Sequence, residues 1–359
     1  MFKMSPAPVI EHNLVGAFLE WVTEHERILY GGTAINAILP QELKFFADLT
    51  APDFDVLSPD ASADTDLLVR VFRDLGHVTS IASDPHTNTH RVFVDGVILT
   101  RVTQIPKAVY IRLHEGALRG DNGMLVAPVE YIRMALFYEL SRNDAVAEWP
   151  VAFDRLLRID RAFGVDANKD IREPNAVEER DHDARVLMGE ARTFLSKSHL
   201  VVCGFAAAAM ALTDGAWPNN PSRLDASTTC IDVLSNDPDS STSEFVKLFS
   251  ASVQPNRLKI IRHRAGAVFP RHCIVHLDGR PLIGIFHADR CIAFVKVDGI
   301  RVATMDTLLA IYLRAYVMGR PTANLKVLCE LLTHQQYRRY DSDKPVFKRF
   351  VTECYGEKR

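Results

Sequence analysis

Two aspartates, Asp53 and Asp55, lie two residues apart in a short run that alternates polar and apolar side chains. Such alternation predicts a half-buried strand, on which residues i and i+2 point to the same face. Two carboxylates that close together repel each other unless a cation lies between them. Mg²⁺ accepts such oxygen ligands and keeps coordination positions free for substrate phosphates. The pair therefore predicts a divalent-metal site, with a solvated acidic pair on a strand edge as the alternative.

A glycine pair precedes this strand in the sequence. The apolar run 28–30 meets Gly31, Gly32 and Thr33, which predicts a strand that ends in a glycine turn and opens a helix. Glycines let the backbone approach a phosphate closely, and the free N–H groups at the start of a helix attract its charge. We expect these three residues to bind nucleotide phosphates, with an ordinary turn as the alternative.

The order of the two motifs, Gly-Gly-Thr after one strand and Asp-x-Asp on the next, is more informative than either motif alone. It resembles the signature of the polymerase-beta-like nucleotidyltransferase superfamily. Further residues narrow the resemblance to the poly(A) polymerase catalytic subunits of poxviruses and other large cytoplasmic DNA viruses. The matching segments lie within residues 25–160, at 28–36, 52–58, 85–96, 127–132, 139–142, 149 and 155–156.

The resemblance implies a template-independent nucleotidyltransferase that adds AMP from ATP to mRNA 3′ ends by two-metal phosphoryl transfer. It makes Asp53 and Asp55 catalytic metal ligands, with Mg²⁺ or Mn²⁺ as the cofactor. It makes Gly31, Gly32 and Thr33 the nucleotide-binding residues. ATP and an RNA 3′ end are the implied partners, and a homodimer or a stimulatory subunit stays open. The implied location is the cytoplasm, in a viral factory or in the virion.

One position departs from the pattern of the family, in which a third carboxylate on the hairpin strand helps to activate the attacking 3′-hydroxyl. Arg101 occupies the matching place here, and Asp95 could substitute only if the hairpin were shifted. A cation at that place would oppose Mg²⁺ at close range. The alternative function is therefore a catalytically inactive homologue that binds RNA or a nucleotide, or that acts as a scaffold subunit. A salt bridge of Arg101 between Asp53 and Asp55 would favour this alternative.

The second half of the chain repeats the order of features in the first. A glycine motif and a strand with an aspartate recur at Gly204 and Asp232, and a hairpin turn and a closing helix follow in both halves. In this alignment Gly204 lies opposite Gly32, while Cys203 and Cys230 replace the first glycine and the first aspartate. We predict an α/β (α+β) fold of two tandem nucleotidyltransferase-like repeats, each a small mixed sheet flanked by helices, with a degenerate second copy.

Composition also predicts the domain boundaries. Residues 166–190 are rich in charged side chains and poor in apolar ones, which is typical of a solvated linker. We therefore predict a nucleotidyltransferase domain at residues 1–165, a charged linker at 166–195 and a degenerate nucleotidyltransferase-like domain at 196–359.

The whole chain has 359 residues and a net charge of −3, which excludes a wholly polybasic nucleic-acid binder but not a local basic groove. No run reaches the ~18 apolar residues of a membrane span, so we expect no membrane association. The six cysteines show no CxxC spacing and predict buried, reduced thiols rather than a disulfide framework. Residues 257–271 and 337–350 could bind RNA, with solvated basic surfaces as the alternative. His86 and His90 are more typical of loop histidines than of metal ligands.

Overall fold

The computed structural model describes residues 12–46, 54–84, 88–120, 123–142, 146–164, 182–212, 215–217, 231–265, 270–317 and 351–356. Asp53, His86, Cys230, Cys329 and the basic segment 337–350 lie outside these described residues. The chain divides into two compact units. The first unit comprises Met1–Arg133 and Asp154–Gly164, and the second comprises Met134–Phe153 and Val165–Arg359.

The first unit is a mixed sheet of seven strands with helices. Its strands are β1 (Ile28–Tyr30), β2 (Phe54–Ser58), β3 (Thr79–Asp84), β4 (Thr89–Val94), β5 (Val97–Gln104), β6 (Leu118–Arg119) and β7 (Leu125–Val126). Its helices are α1 (His12–Glu24), α2 (Gly31–Ile38), α3 (Ala61–Asp74) and α4 (Lys107–Glu115), and it shares α5 (Val129–Leu140) and α6 (Trp149–Phe163) with the second unit. The strand order is β3-β4-β5-β2-β1-β7-β6.

The second unit repeats this plan with eight strands. Its strands are β8 (Val201–Cys203), β9 (Ile231–Ser235), β10 (Leu258–His263), β11 (His272–Leu277), β12 (Arg280–His287), β13 (Ile292–Val297), β14 (Ile300–Ala303) and β15 (Cys354–Tyr355). Its own helices are α7 (His182–Leu195), α8 (Gly204–Leu212), α9 (Pro238–Phe249) and α10 (Met305–Val317). The strand order, β10-β11-β12-β9-β8-β14-β13-β15, matches that of the first sheet strand for strand, with β15 added at one edge.

The matching strand order confirms the predicted fold of two mixed sheets with helices, although sheets of seven and eight strands are larger than the small sheets predicted. The direction of pairing also agrees. The strand with the aspartate is antiparallel to the first strand of its unit and parallel to the second strand of the hairpin, in β2 as in β9. An internal duplication explains this agreement better than two unrelated sheets would.

Local chemistry explains why the hairpins form where the sequence predicts them. Asp95-Gly96 and Asp278-Gly279 both have positive φ at each residue, which is the geometry of the tight turns that connect antiparallel strands. The same arrangement occurs a third time, at Asp298-Gly299. Asp and Gly tolerate this backbone conformation, so these dipeptides fix the ends of three strand pairs.

Each unit has its own apolar core under the sheet. In the first unit Phe18 of α1 stacks on Phe54 at the start of β2, with ring centroids 4.3 Å apart, and both side chains are fully buried. In the second unit Phe194 of α7 packs edge-on against Phe245 of α9 at 4.9 Å. The first residues of the functional strand β2 are therefore held by packing and not only by the backbone ladder.

Residues 182–195, which the sequence analysis placed in the charged linker, form helix α7. Its apolar side chains Ala184, Leu187, Met188, Ala191 and Leu195 are buried in the second unit. Arg185 and Arg192 lie on the exposed face of this helix, as expected for an amphipathic helix. The rest of the predicted linker, up to residue 181, lies outside the described residues. No described helix is both long and apolar enough to span a membrane.

The prediction of reduced thiols is wrong for two cysteines. Cys291 and Cys354 form a disulfide, and β13 and β15 pair next to them, with Ala293 opposite Cys354. The pairing brings together residues that are 63 positions apart, with a Cα–Cα separation of 5.2 Å that suits a disulfide. Cys203 and Cys273 are buried and free, as expected.

Candidate active site

The predicted glycine turn lies where β1 passes directly into α2. Tyr30 is extended, and the next residue, Gly31, has φ +77° and begins the helix. This left-handed conformation favours glycine, because other residues pay a steric cost for it. A Cβ on Gly31 would also collide with the Asp55 carboxylate, whose Cγ lies 3.1 Å from the Cβ position. The first glycine is therefore required by its backbone and by the carboxylate beside it.

Gly32 is required for a different reason. Its φ is ordinary, but a Cβ there would lie 2.6 Å from Nη2 and 3.0 Å from Cζ of Arg155, a residue of α6. The guanidinium thus lies against the first turn of α2. Thr33 follows in the same turn with a buried side chain. The structure therefore brings Gly31, Gly32, Thr33 and Asp55 together as predicted, and it adds an arginine that the sequence analysis did not identify as part of the site.

Asp55 lies in the middle of the sheet, between Tyr30 on β1 and Arg101 on β5. Its side chain is 18% exposed, and its Oδ1 is 3.5 Å from Nη1 of Arg101, which is 32% exposed. The ion pair is thus partly open to solvent. A guanidinium beside this carboxylate compensates its charge but competes with a metal cation for the same oxygen.

Tyr30 is the first of three hydrogen-bonded hydroxyl groups beside Asp55. Its hydroxyl lies 2.9 Å from Oγ1 of Thr103, which is 3.0 Å from Oγ1 of Thr89 on β4. Burial raises the pKa of Tyr30 well above its usual range, and the charge of Asp55 raises it further. The phenol is therefore neutral at physiological pH and serves as a hydrogen-bonding group.

The register of the hairpin confirms the departure from the family pattern. Arg101 is directly opposite Asp55, with Arg91 on its other side. Asp95 lies in the hairpin turn, where it accepts hydrogen bonds from the His77 ring and from the backbone N–H of Val78. The hydrogen bond from His77 and that from Val78 lower the pKa of Asp95. Asp95 lies in the turn and Arg101 lies opposite Asp55, so Asp95 does not replace the missing third carboxylate.

The described residues alone do not form a complete metal site. They contain no group of three or more His, Cys, Asp or Glu side chains placed to hold an ion. Asp55 provides one carboxylate, and its described charged neighbour is a cation. Asp53 lies outside the described residues, so the expected pairing of the two aspartates stays a prediction.

The second unit contains a degenerate counterpart of this site and corrects the alignment by one residue. Cys203 pairs with Asp232 as Tyr30 pairs with Asp55, so Gly204 corresponds to Gly31 and not to Gly32. Gly204 also has a positive φ, +63°, and a Cβ there would collide with the Asp232 carboxylate. Residue identity alone gives the wrong alignment of the two copies. The feature that both copies share is a glycine in the left-handed conformation beside the aspartate.

Two further substitutions separate the copies. Phe205 follows Gly204 in the place of Gly32, and Gly284 is opposite Asp232 in the place of Arg101. Burial raises the pKa values of Cys203 and Tyr312, and the nearby charge of Asp232 raises them further. The second copy keeps the aspartate and its glycine but has Gly284 in the place of Arg101 and Phe205 in the place of Gly32.

Three arginines of the predicted RNA-binding stretch 257–271 are paired with carboxylates. Arg257 bonds both Asp278 and Asp183, at 2.6 Å each, and Arg262 and Arg271 share Asp239. The hydrogen bond from Arg262 lowers the pKa of Asp239, and Arg271 lowers it further. These pairings favour the structural interpretation of the stretch. In the first unit, Nδ1 of His90 bonds the hydroxyl of Ser83 at 2.8 Å, which agrees with an ordinary histidine.

The comparisons with known proteins agree with the resemblance seen in the sequence. Residues 17–143 match the family model described as the poly(A) polymerase catalytic subunit. The fold is similar to the crystal structure of the Megavirus polyadenylate synthase, with a TM-score of 0.78 and 16% identity, over 97% of this chain and 74% of that one. No curated protein matches. The structural similarity, at this identity, shows a shared fold, and the family match confirms the resemblance over the part of the chain that carries the site.

Proposed function

We propose that this chain is a template-independent RNA nucleotidyltransferase that adds AMP from ATP to mRNA 3′ ends, because residues 17–143 match the family model of the poly(A) polymerase catalytic subunit. One observation carries the proposal: the Asp55 carboxylate lies against the backbone at the start of α2. An acidic group and a phosphate-binding turn are thereby in contact. Phosphoryl transfer requires both, since the reaction depends on positioning and on compensation of phosphate charge.

The proposed reaction is a single displacement at phosphorus. The oxygen of the RNA 3′-hydroxyl loses its proton to solvent and forms a bond to the α-phosphorus of ATP. The bond from this phosphorus to the α–β bridging oxygen breaks, and pyrophosphate leaves with that electron pair. Gly31, Gly32 and Thr33 bind the phosphates through backbone N–H groups at the start of α2. Tyr30 keeps its proton, and its hydrogen bond to Thr103 fixes the position of the phenol beside Asp55.

Mg²⁺ or Mn²⁺ is the proposed cofactor, with Asp53 and Asp55 as its protein ligands. Their i, i+2 spacing in the sequence supports this assignment, because side chains at i and i+2 of a strand share a face. A bound divalent ion would neutralise charge on the triphosphate. Arg101 then compensates part of the Asp55 charge.

The proposed partners are ATP and the 3′ end of RNA, with a homodimer or a stimulatory subunit as further candidates. The proposed location is the cytoplasm, in a viral factory or in the virion. Both proposals rest on the family resemblance.

The ion pair between Asp55 and Arg101 supports a second candidate function. A guanidinium at 3.5 Å from this carboxylate occupies a position from which it can replace a metal ion. In that case the chain would be a catalytically inactive homologue that binds RNA or a nucleotide, or that acts as a scaffold subunit.

Primer extension distinguishes the two functions. A labelled RNA oligonucleotide is incubated with each ribonucleotide in turn, with Mg²⁺ or Mn²⁺, and with wild type or the Asp53→Ala/Asp55→Ala double variant. We expect the wild type to extend the RNA with ATP and the double variant to be inactive. A folded wild type that extends no primer with any nucleotide or metal would favour the inactive homologue, and RNA binding would then be measured.

A further inference from the structure

We propose that Arg155 is a ligand of the nucleotide phosphates and that Gly32 is a glycine in order to admit it. This inference rests on the proposed function and deepens it, because it names a phosphate-binding residue outside the Gly-Gly-Thr motif. Arg155 lies on α6, far from the motif in sequence, and its side chain reaches the first turn of α2.

The contact at Gly32 fixes the position of the guanidinium. Nη2, Cζ and Nη1 of Arg155 lie 2.6, 3.0 and 3.4 Å from the place a Cβ would take. The guanidinium carbon also lies 5.4 Å from the centre of the Phe45 ring, within the range of a cation–π contact. The guanidinium thus lies close to both the backbone of Gly32 and the ring of Phe45, beside the helix start.

The hydrogen bonding of this arginine is incomplete. Its Nε is buried and has no hydrogen-bond partner in the described part of the chain. A buried donor without a partner destabilises the folded protein, so such a group calls for an explanation. A bound phosphate near the guanidinium would supply acceptor oxygens, and the planar fork of N–H groups matches them.

Arg158, about one turn further along α6, is a useful comparison, because it lies near the same aromatic ring but has a structural role. Its guanidinium lies 5.8 Å from the same Phe45 ring. However, its Nε bonds Asp154 at 2.7 Å and its Nη1 bonds the carbonyl oxygen of Leu43 at 2.8 Å. Arg158 is therefore anchored to the protein through Nε and Nη1, whereas the buried Nε of Arg155 has no partner among the described residues.

The second unit shows that the two glycine positions of the motif have different roles. It retains the glycine that its fold needs, Gly204 beside Asp232, but has Phe205 at the position of Gly32. A glycine at this second position is thus not needed for the strand-to-helix turn. It is found in the copy where a guanidinium fills the space that a side chain would take.

The test measures nucleotide binding separately from catalysis. Wild type, Arg155→Ala, Arg155→Lys and Arg158→Ala are compared by calorimetric titration with ATP and with inorganic tripolyphosphate, without RNA. The KM for ATP and kcat are then measured in primer extension. We expect Arg155→Ala to raise the Kd for ATP and tripolyphosphate ~10-fold or more, which is about 1.4 kcal/mol. Arg155→Lys restores part of the affinity, because a point charge replaces the planar fork, and Arg158→Ala keeps the wild-type Kd.

Gly32→Ala is the second variant, in case loss of Arg155 affects folding. Its methyl group displaces the guanidinium but leaves an ordinary φ, so we expect a folded protein with the same loss of affinity as Arg155→Ala. A Kd within twofold of wild type in both variants would overturn the proposal while leaving the proposed function intact if RNA is still extended. Binding of ATP that depends on Arg155 in a wild type that extends no RNA would sustain this inference and overturn the polymerase function. A wild type that binds neither ATP nor tripolyphosphate would overturn both.

Discussion

The substitution Gly31→Ala tests whether the contact between the helix start and Asp55 positions the reacting groups. Alanine at φ +77° costs roughly 1–2 kcal/mol, because the left-handed conformation places Cβ too close to the carbonyl oxygen. The new methyl group also overlaps the Asp55 carboxylate, whose Cγ is 3.1 Å away. The carboxylate must therefore move by on the order of 1 Å to reach ordinary contact distance.

These two effects predict different sizes of change in stability and in activity. A loss of about 1–3 kcal/mol lowers Tm by roughly 2–10 °C for units of this size. A displacement of about 1 Å in a catalytic group costs on the order of 100-fold in rate. At 25 °C, well below the transition, we expect Gly31→Ala to be folded and to have lost ~100-fold in kcat/KM for ATP.

Gly204→Ala is the matched control. It has the same type of backbone strain, with φ +63°, and the same collision with a carboxylate, that of Asp232. Thermal unfolding followed by circular dichroism gives the stability of both variants, and primer extension with ATP gives their activity. We expect similar losses of Tm but a loss of activity only in Gly31→Ala. An equal loss of activity in both variants would refute the reasoning, because the effect would then come from folding and not from the position of Asp55.

Three further predictions concern stability. Asp64→Ala removes a buried carboxylate that bonds Arg27 through both oxygens, at 2.7 and 2.9 Å, so urea unfolding should show a loss of about 3–5 kcal/mol; a loss under 1 kcal/mol would contradict this. Non-reducing peptide mapping should recover a peptide that links Cys291 with Cys354, and Cys354→Ser should cost up to about 4 kcal/mol, as expected for a loop of 63 residues; recovery of both residues as free thiols would be the opposite result. The pKa of Asp239 is lowered in the folded state, so its stabilising effect is present above about pH 4 and is lost as the pH falls through and below that value. Chemical unfolding of wild type and Asp239→Asn should therefore differ more at pH 7 than at pH 3, and a constant difference would argue against it.

Much of the fold could be predicted from local sequence. The Asp-Gly dipeptides fix the hairpin turns, because both residues accept positive φ, and the alternating run at β2 predicts a strand with Asp55 on an open face. The repeat was visible from the order of motifs. Sequence identity favours Gly32 as the partner of Gly204, which is one residue out of register, because the positive φ of Gly31 and Gly204 identifies the true equivalents.

What could not be predicted depends on contacts between distant parts of the chain. The guanidinium of Arg155 reaches Gly32 from another helix, and no local pattern marks such a contact. In the sequence, Arg155 and Leu156 contribute to the family resemblance but show no sign of a contact with Gly32. The disulfide between Cys291 and Cys354 follows from the pairing of two strands 63 residues apart, which cysteine spacing alone does not reveal.

The most direct test of the central claim is the transfer of a single nucleotide by Asp55→Asn and by Asp232→Asn. Both aspartates have the same strand register and the same glycine neighbour, but only Asp55 lies in the proposed active site. Labelled RNA is incubated with chain-terminating 3′-deoxy-ATP, and addition of one nucleotide is quantified. We expect Asp55→Asn to lose at least ~100-fold in rate and Asp232→Asn to retain the wild-type rate. Wild-type activity in Asp55→Asn, or an equal loss in Asp232→Asn, would contradict the assignment of the first unit as the catalytic one.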